Sequence, residues 1–407
     1  MTLTKYCRCK RLLEQHLPAV YFALVIIALT LSQPTIAAVD KITSSTKIAL
    51  NTASTTIPES ALLDVGILKL DAGLELTDED DTVFPEIRFA EAIYFSNQLA
   101  KILEKSGNWG AVRVIPNQEI IVDLTLTGTI LQSDGETLEL KINVVDSSGK
   151  LWFSQRYKQM VGKYAYDRRL KSLGDPFQNL FVRIANDMLA YREKLNNRQA
   201  LQLRNLSELR FAKLFSPAAF DNYLGKKRDG TLTIERLPAV NDKIMQRILK
   251  IRERDYLYVD NMHDYFEAFS QRMHLPYQDF RRSSYDSVVK ARQLKKQGNQ
   301  RIVAGVGAVL AGIYGRSQAT TSSANHASIA TAAVGGYAIK SGLEKKQQSA
   351  SYNEAIAEMG ISLETQIAPQ VIKLEDQTVT LTGSVQAQYQ QWQDLLQKIY
   401  LQERGEM

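Results

Sequence analysis

Residues 121–157, IVDLTLTGTILQSDGETLELKINVVDSSGKLWFSQRY, decide the fold. From Ile121 to Leu131 the residues Asp123, Thr125, Thr127 and Thr129 recur at every second position. That is the period of a strand with one buried face. Leu138, Leu140, Ile142 and Val144 repeat the pattern, and Leu151 to Tyr157 is a third long run. Between the runs lie Ser133-Asp134-Gly135-Glu136 and Asp146 to Gly149, both turn sequences. Three alternating runs joined by two tight turns predict an antiparallel meander.

On the amino-terminal side, Leu63, Val65 and Ile67 alternate with Asp64 and Gly66, which predicts a strand. Pro85 and Glu86 suit the first turn of a helix. Phe89, Ile93, Ser96, Ala100 and Leu103 form its apolar stripe, and Gly107 stands where it should end. Val112 to Ile115 is a short strand. Beyond the meander, Asp175-Pro176 caps a helix that buries Phe177, Leu180, Phe181, Ile184 and Met188. The order β-α-β-β-β-β-α predicts an α+β protein with a small α/β sandwich domain at 61–195. This order resembles the amino-terminal domain of the Tol–Pal translocation protein and the curli-secretion lipoprotein. The stretch Phe84 to Ile115, with Ser106-Gly107-Asn108-Trp109-Gly110, also resembles envelope proteins and lipoproteins of Gram-negative bacteria. The resemblance implies a compartment and no activity.

Asp71, Glu75 and Asp78-Glu79-Asp80-Asp81 make an acidic loop. It lacks the spaced ligands and central glycine of a calcium loop and reads as solvated. Gly66 and Gly73 are not followed by the Lys-Ser/Thr of a phosphate cradle, and no HExxH or GxSxG pattern occurs. No catalytic residue, metal ligand or cofactor site is therefore assigned.

Residues 196–300 read as a helical region in which Ile244, Ile248 and Ile251 share a face. Tyr258, Tyr265, Phe266, Phe269, Tyr277 and Phe280 are interleaved with Arg252, Arg254, Arg272, Arg281 and Arg282. Aromatics among arginines can stack bases and hold phosphates. Here acids alternate with the bases. The rings are expected to form a helical core, with the arginines in solvent or paired with Glu253, Asp255, Asp264 and Asp279.

Ile302 to Tyr314 is uncharged and apolar. Ala304, Ala308 and Gly312 fall four apart, as do Gly307, Ala311 and Gly315. After a polar loop, Ala327, Thr331 and Gly335, and Ser328, Ala332 and Gly336, repeat the spacing. Residues four apart share a helix face, so two backbones can approach along such small residues. The segment 301–343 predicts an Ala/Gly-rich helical hairpin and resembles the glycine zippers of outer-membrane lipoproteins. Each arm, near 20 Å, falls short of the ~30 Å hydrocarbon core. The hairpin would therefore insert partially, self-associate or pack inside the protein. Arg292, Lys295, Lys296 and Arg301 precede it, and Lys345 and Lys346 follow, as suits contact with anionic headgroups.

At 350–407, two strands (Val371–Leu374 and Thr378–Thr382) lead into a helix with Val385, Tyr389, Trp392, Leu396 and Ile399 on one stripe. The stretch Thr378 to Val385 resembles part of the BON domain, an envelope module associated with phospholipid surfaces. A ββα unit docked on the rest of the chain is the alternative.

The first 38 residues have the order of an export signal. Lys5, Arg8, Lys10 and Arg11 precede the apolar run Ala19–Leu31, and Pro34, Ala37 and Ala38 follow. Cleavage near Ala38 is expected; retention as an anchor is the alternative. The only cysteines, Cys7 and Cys9, lie in that signal and form no lipobox. Residues 39–60 read as a disordered linker. The 38-residue signal holds +3 of the chain's formal +6, which leaves too little charge for a dedicated nucleic-acid binder. The expectation is a non-enzymatic cell-envelope protein, periplasmic and associated with the outer membrane. Its expected partners are an envelope protein or lipid, the membrane surface and, as a homo-oligomer, a second copy of the chain. A periplasmic enzyme acting on the cell wall or another polymer, and a soluble anion-binding module, are the alternatives.

Overall fold

The meander forms as its alternation requires. The computed structural model describes residues 40–43, 47–76, 83, 85–166, 175–296, 370–374 and 378–405. Strands β4 (Leu124–Ser133), β5 (Thr137–Asp146) and β6 (Leu151–Met160) pair antiparallel. Leu124, Leu126 and Ile130 of β4 and Leu138, Leu140, Ile142 and Val144 of β5 are buried. Each turn is set by an aspartate and a glycine. Asp134 Oδ1 accepts from the backbone N–H of Glu136 at 3.0 Å and of Thr137 at 2.7 Å, and Gly135 has φ +82°. Asp146 Oδ1 accepts from Ser148 N at 2.9 Å, and its Oδ2 accepts from Trp152 Nε1 at 3.0 Å.

Around the meander lie β1 (Asp40–Thr43), β2 (Val65–Leu68), α1 (Pro85–Ser106), β3 (Val112–Ile115) and α2 (Gln178–Arg192). The mixed sheet has the order β1-β6-β5-β4-β2-β3. β2 is parallel to both β3 and β4, and β1 is parallel to β6. α1 is the crossover that a parallel β2–β3 pair needs. It ends at Gly107, φ +64°, as expected. The alternation expected of the first strand is not kept, because Val65 to Leu68 are all buried. Parallel neighbours on both sides place β2 in the interior, where continuous apolar runs are usual.

Residues 47–60 correct the expectation of a disordered linker. Asparagines on the folded body take up the segment's backbone groups. Asn179 Oδ1 accepts from Ile48 N at 3.0 Å, and Asn186 bonds both Asn51 N and Ala49 O at 2.9 Å. Asn108 bonds Ala53 N at 2.8 Å and Asn51 O at 3.0 Å. Backbone groups satisfied this way, with Ile48, Leu50 and Ile57 packed against the core, order the strap.

The middle region is helical with one exception. Helix α3 (Asn197–Phe215) opens on a capping box between Asn196 and Gln199, and the short α4 (Pro217–Phe220) follows. The hairpin β7 (Leu224–Lys226) and β8 (Leu232–Ile234) was not foreseen, since three-residue strands carry almost no periodicity. Helix α5 runs 54 residues, Lys243–Lys296, and passes through Pro276. At 1.5 Å per residue it is about 80 Å long.

At the carboxy end, β9 (Gln370–Lys373), β10 (Thr378–Leu381) and α6 (Val385–Arg404) match the expected ββα unit. It docks on α5. Tyr258 Oη donates to Val385 O at 3.2 Å, and Arg254 pairs with Glu403 at 2.7 Å. Tyr389, Trp392 and Tyr400 are buried in the same core as β2, α1 and α5. The expected hairpin at 301–343 lies outside the described residues, as do the expected signal and the acidic run 78–81.

Candidate functional site

Helix α5 crosses the α/β domain, and burial perturbs several ionisable groups beneath it. Its apolar residues Met262, Phe266, Phe269, Met273, Tyr277 and Phe280 recur three and four apart and are buried. The same face carries Arg281, which is 0% exposed. α5 runs antiparallel to α1 in a fixed register. Glu104 meets His263 (3.6 Å), Lys101 meets Glu267 (3.2 Å), Tyr94 meets His274 (2.8 Å) and Glu91 meets Tyr277 (2.6 Å).

At the inner end of this seam Arg281 Nη2 lies 2.5 Å from Asp175 Oδ2. Asp175 also accepts from Tyr94 Oη (3.0 Å), Gln278 Nε2 (3.1 Å) and the Phe177 backbone N–H (2.9 Å). Burial pushes this carboxyl up, but Arg281 and the surrounding donors outweigh it and hold it below its ordinary range. Burial likewise opposes the charge on Arg281, while Asp175 and the tyrosines around it hold its pKa well above the usual value. The guanidinium carbon sits 4.4 Å from the Tyr277 ring centroid and 5.2 Å from that of Phe177.

Glu91 is the second buried acid. Its Oε1 accepts from Tyr277 Oη and, at 2.7 Å, from Ser133 Oγ; Arg88 Nε stands 3.5 Å from Oε2. Burial raises its pKa, only partly offset by Arg88 and the two hydroxyls. His274 is half-buried, and burial lowers its pKa. Its Nδ1 faces Tyr94 Oη, whose proton goes to Asp175, so the assigned neutral tautomer carries hydrogen on Nδ1.

Contacts of three further residues pin the amino-terminal half of α5. Arg252 is buried and reaches Ser207 Oγ (3.2 Å), Tyr256 Oη (3.0 Å) and the Ile121 carbonyl (3.4 Å). Ser207 in turn donates to the buried Asp123 at 2.5 Å. Asp255, fully buried against α6, accepts from Gln393 Nε2 at 2.8 Å, and burial pushes its pKa up to about 7. His263 Nδ1 accepts the Val114 backbone N–H at 3.0 Å, covering the free edge of β3.

The arrangement suits fixation of α5. Each buried acid is engaged by donors from a second element, and Asp175 has both oxygens in use. Among the described residues no group of three or more His, Cys, Asp or Glu side chains is placed to hold a metal ion. None of their helices is long and apolar enough to cross a membrane.

The aromatic rings of the middle region do form a core, as expected. The arginines depart from expectation: Arg252 and Arg281 are buried, and Arg281 pairs with Asp175 of the α/β domain. Of the local pairs foreseen, Arg282–Asp279 forms at 3.6 Å. Arg292, Lys295 and Lys296 belong to the last turns of α5; nothing is described of their side chains. Arg301, Lys345, Lys346 and the small-residue positions from Ala304 to Gly336 lie outside the described residues. Sequence reasoning missed Asp175 as an ion-pair partner because it was already explained as a cap. Arg281 carried a usable signal, being four residues after Tyr277 on the buried stripe.

No protein-family model matches this chain, and no curated protein or solved structure matches it.

Proposed function

We propose that this is a non-enzymatic protein of the bacterial cell envelope that uses α5 to hold its Ala/Gly-rich segment out for attachment or self-association. The observation that carries the reading is how α5 is held. Side-chain contacts pin it to the folded body from Arg252 to Arg282, and it continues to Lys296, six residues before the uncharged run that starts at Ile302. The next described residue is Gln370, in a unit docked on the same helix. In sequence, residues 297–369 thus join two secured elements, with cations on both sides of the apolar runs.

Export is supported at the other end. One compact unit spans Asp40–Met407 and so begins just beyond the end of the signal-like segment. A non-catalytic role is supported by the structural use of the buried acids, whose donors come from neighbouring elements.

Fractionation of the native protein tests the proposal, together with sequencing of its mature amino terminus. The expected protein starts near residue 39, sediments with membranes through a high-salt wash and is released by detergent. Replacing 301–343 with a short Gly/Ser linker should make it soluble. A native chain found entirely in the soluble fraction would sink the proposal.

A further inference from the structure

Two histidines lie among the described residues, both in α5, and their rings are engaged in opposite ways. His263 Nδ1 accepts the Val114 backbone N–H at 3.0 Å, so this nitrogen carries no hydrogen. The assigned neutral tautomer has its proton on Nε2, which faces Glu104 Oε1 at 3.6 Å. His274 is arranged the other way. Its Nδ1 donates to Tyr94 Oη, so a second proton would go to Nε2 and leave that bond in place.

An imidazole takes up its second proton in mildly acidic solution. At His263 that proton must go to Nδ1, where it meets the N–H of Val114. Both nitrogens of an imidazolium are donors, so the bond between α5 and the strand is lost. Val114 belongs to β3, which ends the sheet and has β2 as its one neighbour there. By the alternation of a strand, Arg113 and Ile115 turn their N–H groups toward β2 while that of Val114 points outward to the helix.

The other charges around the ring are matched in pairs. Lys101 of α1 pairs with Glu267 of α5 at 3.2 Å. Arg113 of β3 pairs with Asp260 of α5 at 2.5 Å, its guanidinium carbon 4.7 Å from the Tyr256 ring centroid. Asp264, the next residue along α5, is exposed. Glu104 is the acid that faces His263; burial raises its pKa and His263 opposes the rise. A positive ring is thus accepted on its Glu104 side and rejected on its Val114 side.

We infer that His263 is an acid-released latch between α5 and the edge of the sheet. Neutral, it holds Val114; protonated, it lets β3 go and pairs with Glu104. The remaining contacts, from Arg113–Asp260 to Arg281–Asp175, keep α5 seated. Acid therefore loosens one stretch of the helix and leaves the chain folded. The latch does not depend on the attachment reading.

Residue-resolved hydrogen exchange on the full mature chain tests this. The quantity read is protection of the Val114 amide relative to those of Arg113 and Ile115, a ratio that cancels the pH dependence of exchange itself. Between about pH 8 and about pH 5 the ratio should fall about tenfold, the worth of one backbone hydrogen bond. His263→Asn puts an amide oxygen that does not titrate near the place of Nδ1, and its ratio should not change with pH. His274→Asn should keep the full fall. Ring carbon shifts of wild-type His263 at the higher pH should report hydrogen on Nε2. The inference is overturned by a constant ratio in the wild type, whether the three amides hold or fall together. It is equally overturned by a fall that persists in His263→Asn, by one abolished in His274→Asn, or by hydrogen on Nδ1 of neutral His263.

Discussion

Arg281 and Asp175 meet at 2.5 Å with both side chains almost wholly out of solvent, although 106 residues separate them in the chain. This pair fastens the carboxy-terminal half of α5 to the loop that starts α2. Removing one partner leaves the other charge buried without its counterion, which typically costs 3–5 kcal/mol. Arg281→Met should therefore lower the urea midpoint by an amount equivalent to about 3–5 kcal/mol with little change in slope. Asp175→Leu combined with Arg281→Met should recover much of the loss, since no unpaired charge remains. A double variant no more stable than Arg281→Met would contradict this account.

Asp255 predicts a pH dependence of the opposite kind from Asp175. Its folded-state pKa of about 7 lies above the ordinary 3.8, so the folded chain keeps this proton while the unfolded chain loses it. Stability contributed by Asp255 is present below pH 4 and falls as pH rises to about 7. The loss is on the order of 4 kcal/mol at most. Asp175, held below its ordinary range, contributes stability at neutral pH that is lost only as pH falls below 4. The Asp255→Asn variant should gain stability over the wild type at pH 8 and little at pH 4. Urea titrations of both proteins at the two pH values measure that difference, and an equal gain at both would count against it.

What could be read in advance was what is encoded locally. The meander, the ends of α1 and the ββα unit followed from periodicity and from single capping or turn residues. Thr378 and Val385 are starts that the structure reproduces. The network under α5 was not legible, because Glu91 and Tyr277 are 186 residues apart and nothing local pairs them. The strap at 47–60 was misread for a related reason. Its order comes from Asn108, Asn179 and Asn186, which lie far along the chain, and from Ile48, Leu50 and Ile57 packed on a core built by distant residues. The acids expected to pair with Arg281 lie on its own helix. A charge on a buried stripe needs a partner, and that partner was on another element.

Two glycines with the same backbone conformation should respond differently to substitution. Gly135 and Gly149 have φ of +82° and +86°. Alanine at either position meets left-handed strain of about 1–2 kcal/mol. At Gly149 the new methyl finds nothing within 4 Å, whereas at Gly135 it meets the Arg281 carbonyl oxygen at 2.5 Å. That oxygen belongs to helix backbone and cannot rotate away. Gly149→Ala should therefore cost about 1–2 kcal/mol. Gly135→Ala should cost clearly more and increase hydrogen exchange in α5 around residues 277–285. Equal losses for the two variants would mean that the turn and α5 do not touch as described.

The strap offers a prediction that separates local order from global stability. Asn108 is buried and holds two backbone groups of the strap, Ala53 N and Asn51 O. Asn186 is engaged at Asn51 N and Ala49 O by bonds that lie in solvent. Water can replace the bonds of an exposed asparagine at little cost, but not those of a buried one. Asn186→Ala should then loosen the strap locally, raising amide exchange at residue 51 while changing the unfolding midpoint by less than about 0.5 kcal/mol equivalent. Asn108→Ala should raise exchange at residue 53 and also cost about 2 kcal/mol of global stability, because it strips a buried site of its partner. Exchange at 48–53 unchanged in both variants would show that the strap is held by something other than these side chains.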